Sequence, residues 1–121
     1  MTTQPVYDKK DQLEKVQSGL LQGEQVVAVY DGAGVGTGFI GLTDRWVILQ
    51  NNSYLGKKVV LTSIPYSRVN AVSVVSDKSM LGRFTSSSEI AVSAGGQTYE
   101  IEFRGADKAK HAHDTILWNM R

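Results

Sequence analysis

Short runs of alternating apolar and polar residues follow one another along most of the chain, a pattern typical of β-strands. The clearest pair is the glycine-rich run 37–42 and the run 45–50, separated by the turn residues Thr43 and Asp44. The run 45–50 is apolar on both faces, which is typical of a strand inside a covered sheet. We therefore predict a hairpin in the core, with the Asp44 side chain bonded to its own backbone.

The same pattern recurs often enough to predict seven strands. Gly95 and Gly96 are a strong signal for a two-residue hairpin turn. Pro65 ends the strand before it, because proline cannot donate to a sheet ladder. The other predicted strands are 24–30, 57–64, 69–75, 89–94 and 98–104.

Two segments instead have the helical period. Residues 7–22 predict an N-terminal helix with Asp8 at its start, and residues 106–120 predict a C-terminal helix. The N-terminal helix presents one apolar stripe, formed by Leu13, Val16, Leu20 and Leu21. We interpret it as lying on the sheet. An amphipathic membrane anchor is the alternative, and its mixed acidic and basic polar face argues against that.

Composition narrows the class of protein. A length of 121 residues predicts one domain, 1–121, with residues 1–6 as a tail. The 13 Lys and Arg nearly balance the 12 Asp and Glu, which argues against nucleic acid as a partner. The absence of cysteine excludes disulfides and thiolate metal sites. The polar start of the chain has no apolar signal core, so we expect a cytoplasmic protein.

Two sequence motifs carry a family resemblance. The order of small apolar residues, then Leu42-Thr43-Asp44-Arg45, then an aromatic and aliphatic run is similar to the second and third strands of bacterial pleckstrin-homology (PH)-like and GRAM-like domains. Residues 64–72, IPYSRVNAV, resemble a later step of the same families. The resemblance implies a mainly β fold, a seven-stranded bent antiparallel barrel capped by the C-terminal helix. The N-terminal helix would be extra.

The candidates for catalysis do not assemble into a mechanism. The glycines of 32–38 lack the spacing and the following helix of a phosphate loop. His111 and His113 are two residues apart on a helix, so they point to different sides. Glu100 and Glu102 share a strand face, and we interpret them as solvated rather than as an acid/base pair. We expect no enzyme and no cofactor or metal.

One binding hypothesis is an anionic lipid headgroup. The resemblance implies basic residues between the first two strands, yet 32–38 contains no Lys or Arg. A weak anionic-ligand patch could form instead at strand ends, or these residues could be scattered solubilising charges. The candidates for this patch are Arg45, Lys57, Lys58 and Arg68.

The second binding hypothesis is protein association. Residues 77–88 form a long connection with an interface-like composition of Met, Leu, Phe and Arg. Its candidate interface residues are Met80, Leu81, Arg83 and Phe84. These side chains could equally fold back over the barrel mouth. We favour a non-enzymatic PH-like binding module that acts by protein association, with a second copy or another protein as partner. Weak peripheral membrane contact is the alternative.

Overall fold

A computed structural model of the chain describes residues 4–33, 37–51, 59–75 and 87–120. Its two α-helices are α1, Lys10–Ser18, and α2, Ala106–Met120, and a short 3-10 helix spans Tyr66–Arg68. The strands are β1 Val6–Tyr7, β2 Val26–Asp31, β3 Thr37–Thr43, β4 Trp46–Asn51, β5 Val60–Pro65, β6 Val69–Val75, β7 Ser87–Ala94 and β8 Gln97–Arg104.

The strands form two sheets, one of five strands in the order β1-β2-β3-β4-β5 and one of three in the order β6-β7-β8. β1 pairs with β2 in parallel, and every other pair is antiparallel. Strands β2 to β8 correspond to the seven predicted strands. β1 was not predicted, because two residues are too short to show a period.

The two sheets meet on one side only within the described residues. Gly32, just after β2, forms an antiparallel bridge with Phe103 of β8, and the Ala33 amide donates to the Glu102 oxygen at 2.6 Å. On the opposite side the chain passes from β5 to β6 through the 3-10 helix, and these two strands do not pair. The described sheets therefore do not close into a barrel.

The main core lies between the inner faces of the two sheets. Phe103, Ile40 and Ile90 are fully buried there, and α2 covers the core with Ala109, Ala112 and Ile116. These three α2 residues lie at i, i+3 and i+7, which places them on one helical stripe. The amphipathic pattern of 106–120 thus produces a buried face, but Leu117, which the same pattern predicts on that face, is 52 % exposed.

A second, smaller core lies on the outer face of the five-stranded sheet. Leu13 and Val16 of α1 pack there against Val29 and Phe39. Gly41 lies beneath α1, and a Cβ on it would lie 2.9 Å from Val16 Cγ2. Gly41 therefore makes room for α1, whereas a Cβ on Gly38 would meet the Gln50 backbone of β4 instead.

The N-terminal helix is shorter than predicted. Residues Val6–Tyr7 pair with β2, and the Asp8 amide donates to the Val29 oxygen at 3.1 Å, so α1 begins only at Lys10. The Asp8 carboxylate does not cap the helix. It accepts the Asp31 amide at 2.9 Å and pairs with Lys108 of α2 at 2.9 Å, which holds β1 in place.

Candidate protein-interaction site

The turn between β3 and β4 is fixed by a network of buried polar groups. Thr43 Oγ1 accepts the amides of Arg45 and Trp46 at 3.0 and 2.9 Å and donates to Glu24 Oε2 at 2.5 Å. Glu24 is buried, with only 8 % of its surface exposed, and both of its carboxylate oxygens have a hydrogen-bond partner. The second oxygen accepts the Leu21 amide at 2.9 Å. The network ties the chain after α1, at Leu21, to the start of β4.

The predicted Asp44 turn was wrong in its detail. Thr43, not Asp44, makes the local hydrogen bonds of the turn. Asp44 Oδ1 accepts the Gln25 amide at 3.0 Å, and the Asp44 amide donates to the Gln25 oxygen at 3.0 Å. Threonine and aspartate side chains can both accept the amides of a turn. Here Thr43 accepts them, and Asp44 instead binds the amide of Gln25, which is distant in sequence.

Tyr66 joins this network from the other side. Its hydroxyl donates to the Thr43 backbone oxygen at 2.6 Å, and its side chain is 4 % exposed. Burial, and then the charges of Asp44 and Glu24, raise the Tyr66 pKa, so the phenol stays protonated. The two motifs that carried the family resemblance therefore meet in space, at the start of β4 and the end of β5.

This anchor sets the backbone pattern of β5, the outer strand of its sheet. The Tyr66 amide donates to the Arg45 oxygen, which makes Trp46 and Pro65 a pair without direct hydrogen bonds. Bonded and non-bonded pairs alternate along antiparallel strands. Ile64, Thr62 and Val60 therefore bond inward to β4, and Leu61 and Ser63 direct their N–H and C=O groups outward.

Among the described residues, the outward edge of β5 is unpaired, and β5 carries no charged side chain. None of the strands that the structure describes pairs with it. Val59, Val60 and Leu61 are 51 %, 37 % and 52 % exposed. No residue from Val60 to Pro65 carries a charge. Proteins normally protect such an edge with lysines, bulges or short strands, because an open edge recruits another chain.

A cleft of about 190 Å³ adjoins this edge on the outer face of the sheet. It lies between the chain after α1 and the β4–β5 ladder, where Ile48 is paired with Ser63. Its walls are mostly apolar, and Glu24 is the charged residue among them. The lining residues are Gly19, Leu21, Glu24, Trp46, Ile48 and Ser63.

The structure describes half of the predicted anionic-ligand patch. Arg45 and Arg68 are both exposed. The Arg45 oxygen accepts the Tyr66 amide just after β5, and Arg68 ends the 3-10 helix that follows the strand. Among the described residues, neither guanidinium has an ion-pair partner. Lys57 and Lys58 lie outside the described residues, so the patch stays a prediction.

The predicted interface residues also lie outside the described part of the chain. Met80, Leu81, Arg83 and Phe84 fall within residues 76–86. Their role as an interface stays a prediction. The β5 edge was not considered in the sequence analysis. The run of Val59, Val60 and Leu61, without a charge until after Pro65, was the available signal.

The groups considered for catalysis have structural partners. The Tyr30 hydroxyl and His111 Nδ1 share a hydrogen bond of 2.6 Å, and burial, then Asp8, raises the Tyr30 pKa. His113 bonds to Asp114 at 3.0 Å. Within the described residues no three His, Asp or Glu side chains are arranged to hold a metal ion.

Glu100 and Glu102 are exposed on the outer face of the three-stranded sheet, as predicted, but Glu89 of β7 joins them. Glu89 lies directly opposite Glu102, and Glu100 is on the diagonal. Partial burial, a hydrogen bond with Glu100 and the charges of both neighbours raise the Glu89 pKa. The cluster is a point of charge repulsion in the sheet.

Comparison with known proteins identifies the fold. No protein-family model matches the chain, and no curated protein matches it. A solved structure does match, that of a PH-domain-containing bacterial protein from Exiguobacterium sibiricum 255-15, with a TM-score of 0.64 and 19 % sequence identity. The match covers 93 % of this chain and 60 % of that one, so this chain spans about three fifths of its structural neighbour.

The chain therefore has a PH-like fold of the bacterial type. The predicted resemblance is confirmed at this level, together with a mainly β architecture of two sheets and two helices. None of the helices in the described segments is long and apolar enough to cross a membrane.

Proposed function

We propose that this chain is a non-enzymatic PH-like binding module that acts by protein association, with a second copy of itself as the partner. In this proposal β2 to β8 and α2 make up a bent barrel of seven strands that is only partly closed, α1 is an addition to it, and the module works in the cytoplasm. The function lies in the open β5 edge and the cleft beside it.

The observation that supports the proposal is the uncharged, apolar edge of β5. Leu61 is 52 % exposed there, next to outward backbone N–H and C=O groups that no described strand uses. Fully burying a leucine is worth roughly 1.5–3 kcal/mol, so covering the exposed half of Leu61 contributes about 1 kcal/mol per copy. Added strands also gain main-chain hydrogen bonds, the usual basis of strand-addition binding.

The test is the mass of the untagged protein by light scattering over a range of concentrations. The monomer has a mass of 13.2 kDa, and the proposal predicts a rise toward a defined multiple. Leu61→Lys should keep the protein monomeric, because an edge lysine blocks strand addition. Leu117→Lys is the matched control, since Leu117 of α2 is also 52 % exposed.

A clean monomer at every concentration would contradict self-association. An equal decrease in the solution mass of Leu61→Lys and Leu117→Lys would show that β5 is not the association surface. If Leu61→Lys still associates, then Phe84→Asp tests the predicted interface at Met80, Leu81, Arg83 and Phe84 instead.

The second candidate function is weak binding of anionic lipid headgroups. It is favoured by Arg45 and Arg68, which are exposed at one end of β5 without ion-pair partners among the described residues. Sedimentation with phosphatidylserine vesicles tests it. Binding should be lost when Arg45, Lys57, Lys58 and Arg68 are neutralised, and should weaken steeply with salt. Vesicle binding that survives neutralisation would contradict it.

A further inference from the structure

We propose that two copies of the chain pair through β5 as antiparallel strands in a register centred on Thr62. In this register Leu61 of each copy lies opposite Ser63 of the other and covers the cleft beside it. The inference rests on the proposed function and adds the register and the contact. It joins two five-stranded sheets into one continuous sheet with a two-fold axis through Thr62.

The outer edge of β5 is better suited to strand addition than the other sheet edges. β5 pairs with β4 without a register shift from Val60 to Pro65, so its outer edge is regular. The described sheets have three other outer strands. β1 has only two residues, β8 already bridges Gly32, and β6 has a register shift between Val69 and Ala71 in its pairing with β7. A shift of this kind twists an edge away from further pairing. Of these edges, β5 is the one best suited to accept a strand.

The outward backbone groups of β5 define how the strands of two copies can align. Leu61 and Ser63 are the residues of β5 that direct their backbone groups outward, so hydrogen-bonded pairs must form between these positions. Pairing Leu61 with Ser63 of the second copy uses the whole strand from Val60 to Ile64. Pairing Ser63 with itself would place Pro65 opposite Leu61, where an N–H is required and proline has none. Pairing Leu61 with itself would pair only three residues of β5.

In this register the Leu61 side chain of each copy fits the cleft of the other. Paired residues share a face, so Leu61 of the second copy emerges over Ser63, on the side of the cleft. Ser63 is small and exposed, and Ile48 opposite it in the sheet is half-buried. A leucine arriving there meets the apolar walls formed by Leu21, Trp46 and Ile48. The two-fold axis repeats this contact, which makes the surface self-complementary.

The charge and the size of the β5 surface are consistent with a second copy of the chain as its partner. β5 has no charged side chain, so antiparallel pairing about Thr62 places no like charges opposite each other within the strand. The contact is limited to one strand edge and one cleft per copy. We therefore expect an interface smaller than the ~800 Å² per partner of standard stable complexes, and a weak dimer.

Cysteine crosslinking tests the register, because the chain has no cysteine of its own. In the proposed dimer Thr62 faces Thr62 of the second copy as a pair without hydrogen bonds, with Cα atoms about 4.5 Å apart, suitable for a disulfide. Under mild oxidation Thr62→Cys should dimerise roughly tenfold faster than Leu61→Cys or Ser63→Cys, whose cysteines are offset from each other. Leu117→Cys measures random collision, and the mass under reducing conditions shows whether each variant still associates.

Each outcome decides between the two proposals. Fastest crosslinking of Thr62→Cys supports the register. Fastest crosslinking of Leu61→Cys or Ser63→Cys overturns the register but leaves association through β5 intact. Associating variants that all crosslink at the Leu117→Cys rate would overturn the β5 surface as well. Reduced variants and wild type that are monomeric at all concentrations would overturn self-association itself.

Discussion

The hydroxyl of Tyr66 donates a hydrogen bond to the backbone oxygen of Thr43, with the two oxygens 2.6 Å apart. The bond joins the turn after β3 to the end of β5, across 23 residues of sequence. It places the last residues of the edge strand against the β4 turn and so fixes which backbone groups of β5 point outward. A structural bond in the core thus determines the geometry of the surface.

Removing that hydroxyl should destabilise the fold. Tyr66→Phe leaves the buried Thr43 oxygen without this donor, and an unsatisfied buried acceptor costs about 1–3 kcal/mol. We expect a loss of that size in the free energy of unfolding, measured by urea denaturation. Tyr99→Phe is the control, because the Tyr99 hydroxyl bonds the exposed Gln97 side chain and should change stability little. Equal losses in both variants would contradict the role of the Tyr66 bond.

The contact between Gly41 and α1 gives a second prediction. A methyl group on Gly41 would lie 2.9 Å from Val16 Cγ2, so Gly41→Ala should push α1 away from the sheet. Overpacking of this kind costs about 1–3 kcal/mol. In a double-mutant cycle, Val16→Ala should recover part of that loss, because it removes the clashing methyl groups. Strictly additive losses would show that the two residues do not compete for space.

The N-terminal strand depends on Asp8. Its carboxylate accepts the Asp31 amide and pairs with Lys108, and both contacts hold β1 against β2 and α2. Asp8→Ala should speed amide exchange in β1 and at Asp31, with a loss of about 1 kcal/mol in unfolding free energy. Lys108→Ala should cost less, because it removes only the ion pair. If Asp8→Ala leaves the Asp31 amide protected, the carboxylate is not its acceptor.

The Glu89 cluster predicts a pH dependence of stability. The folded state raises the Glu89 pKa above its ordinary value of 4.5, so the folded protein binds the proton more tightly than the unfolded chain. The contribution is favourable below 4.5 and is lost as the pH rises through the raised pKa. Glu89→Gln should remove this dependence and stabilise the protein at neutral pH by roughly 0.2–1 kcal/mol, since like charges opposite each other destabilise a sheet.

Thermal melts of wild type and Glu89→Gln between about pH 4 and pH 8, from near the ordinary glutamate pKa to well above it, measure this difference. The two curves should converge at low pH and separate toward neutral pH. A constant separation would show that charge at Glu89 is not the cause.

Much of the fold could be predicted from the sequence because its signals are local. The alternation in β7 and β8 and the turn at Gly95 and Gly96 depend on neighbouring residues, and the structure has both strands and the turn there. β1 could not be predicted, because its partners in β2 are about twenty residues away. The prediction that Asp8 starts the N-terminal helix was wrong for the same reason, because its partners Asp31 and Lys108 are distant in sequence.

The site was harder to predict than the fold. The sequence shows that Leu61 is apolar, but only the order of strands shows that β5 is an outer strand. The cleft depends on where the chain after α1 meets the β4–β5 ladder. Glu89 was missed because its neighbours Glu100 and Glu102 lie across a hairpin. Edges, clefts and cross-strand charges are properties of topology rather than of local sequence.

The most direct test of the account is amide hydrogen exchange of β5 at low and high protein concentration, followed residue by residue. The Leu61 and Ser63 amides point outward, and the Thr62 and Ile64 amides bond to β4. We expect Leu61 and Ser63 to exchange quickly when dilute and to become protected as the mass rises, while Thr62 and Ile64 stay protected throughout. Association that leaves Leu61 and Ser63 exchanging at the dilute rate would contradict a dimer built on β5.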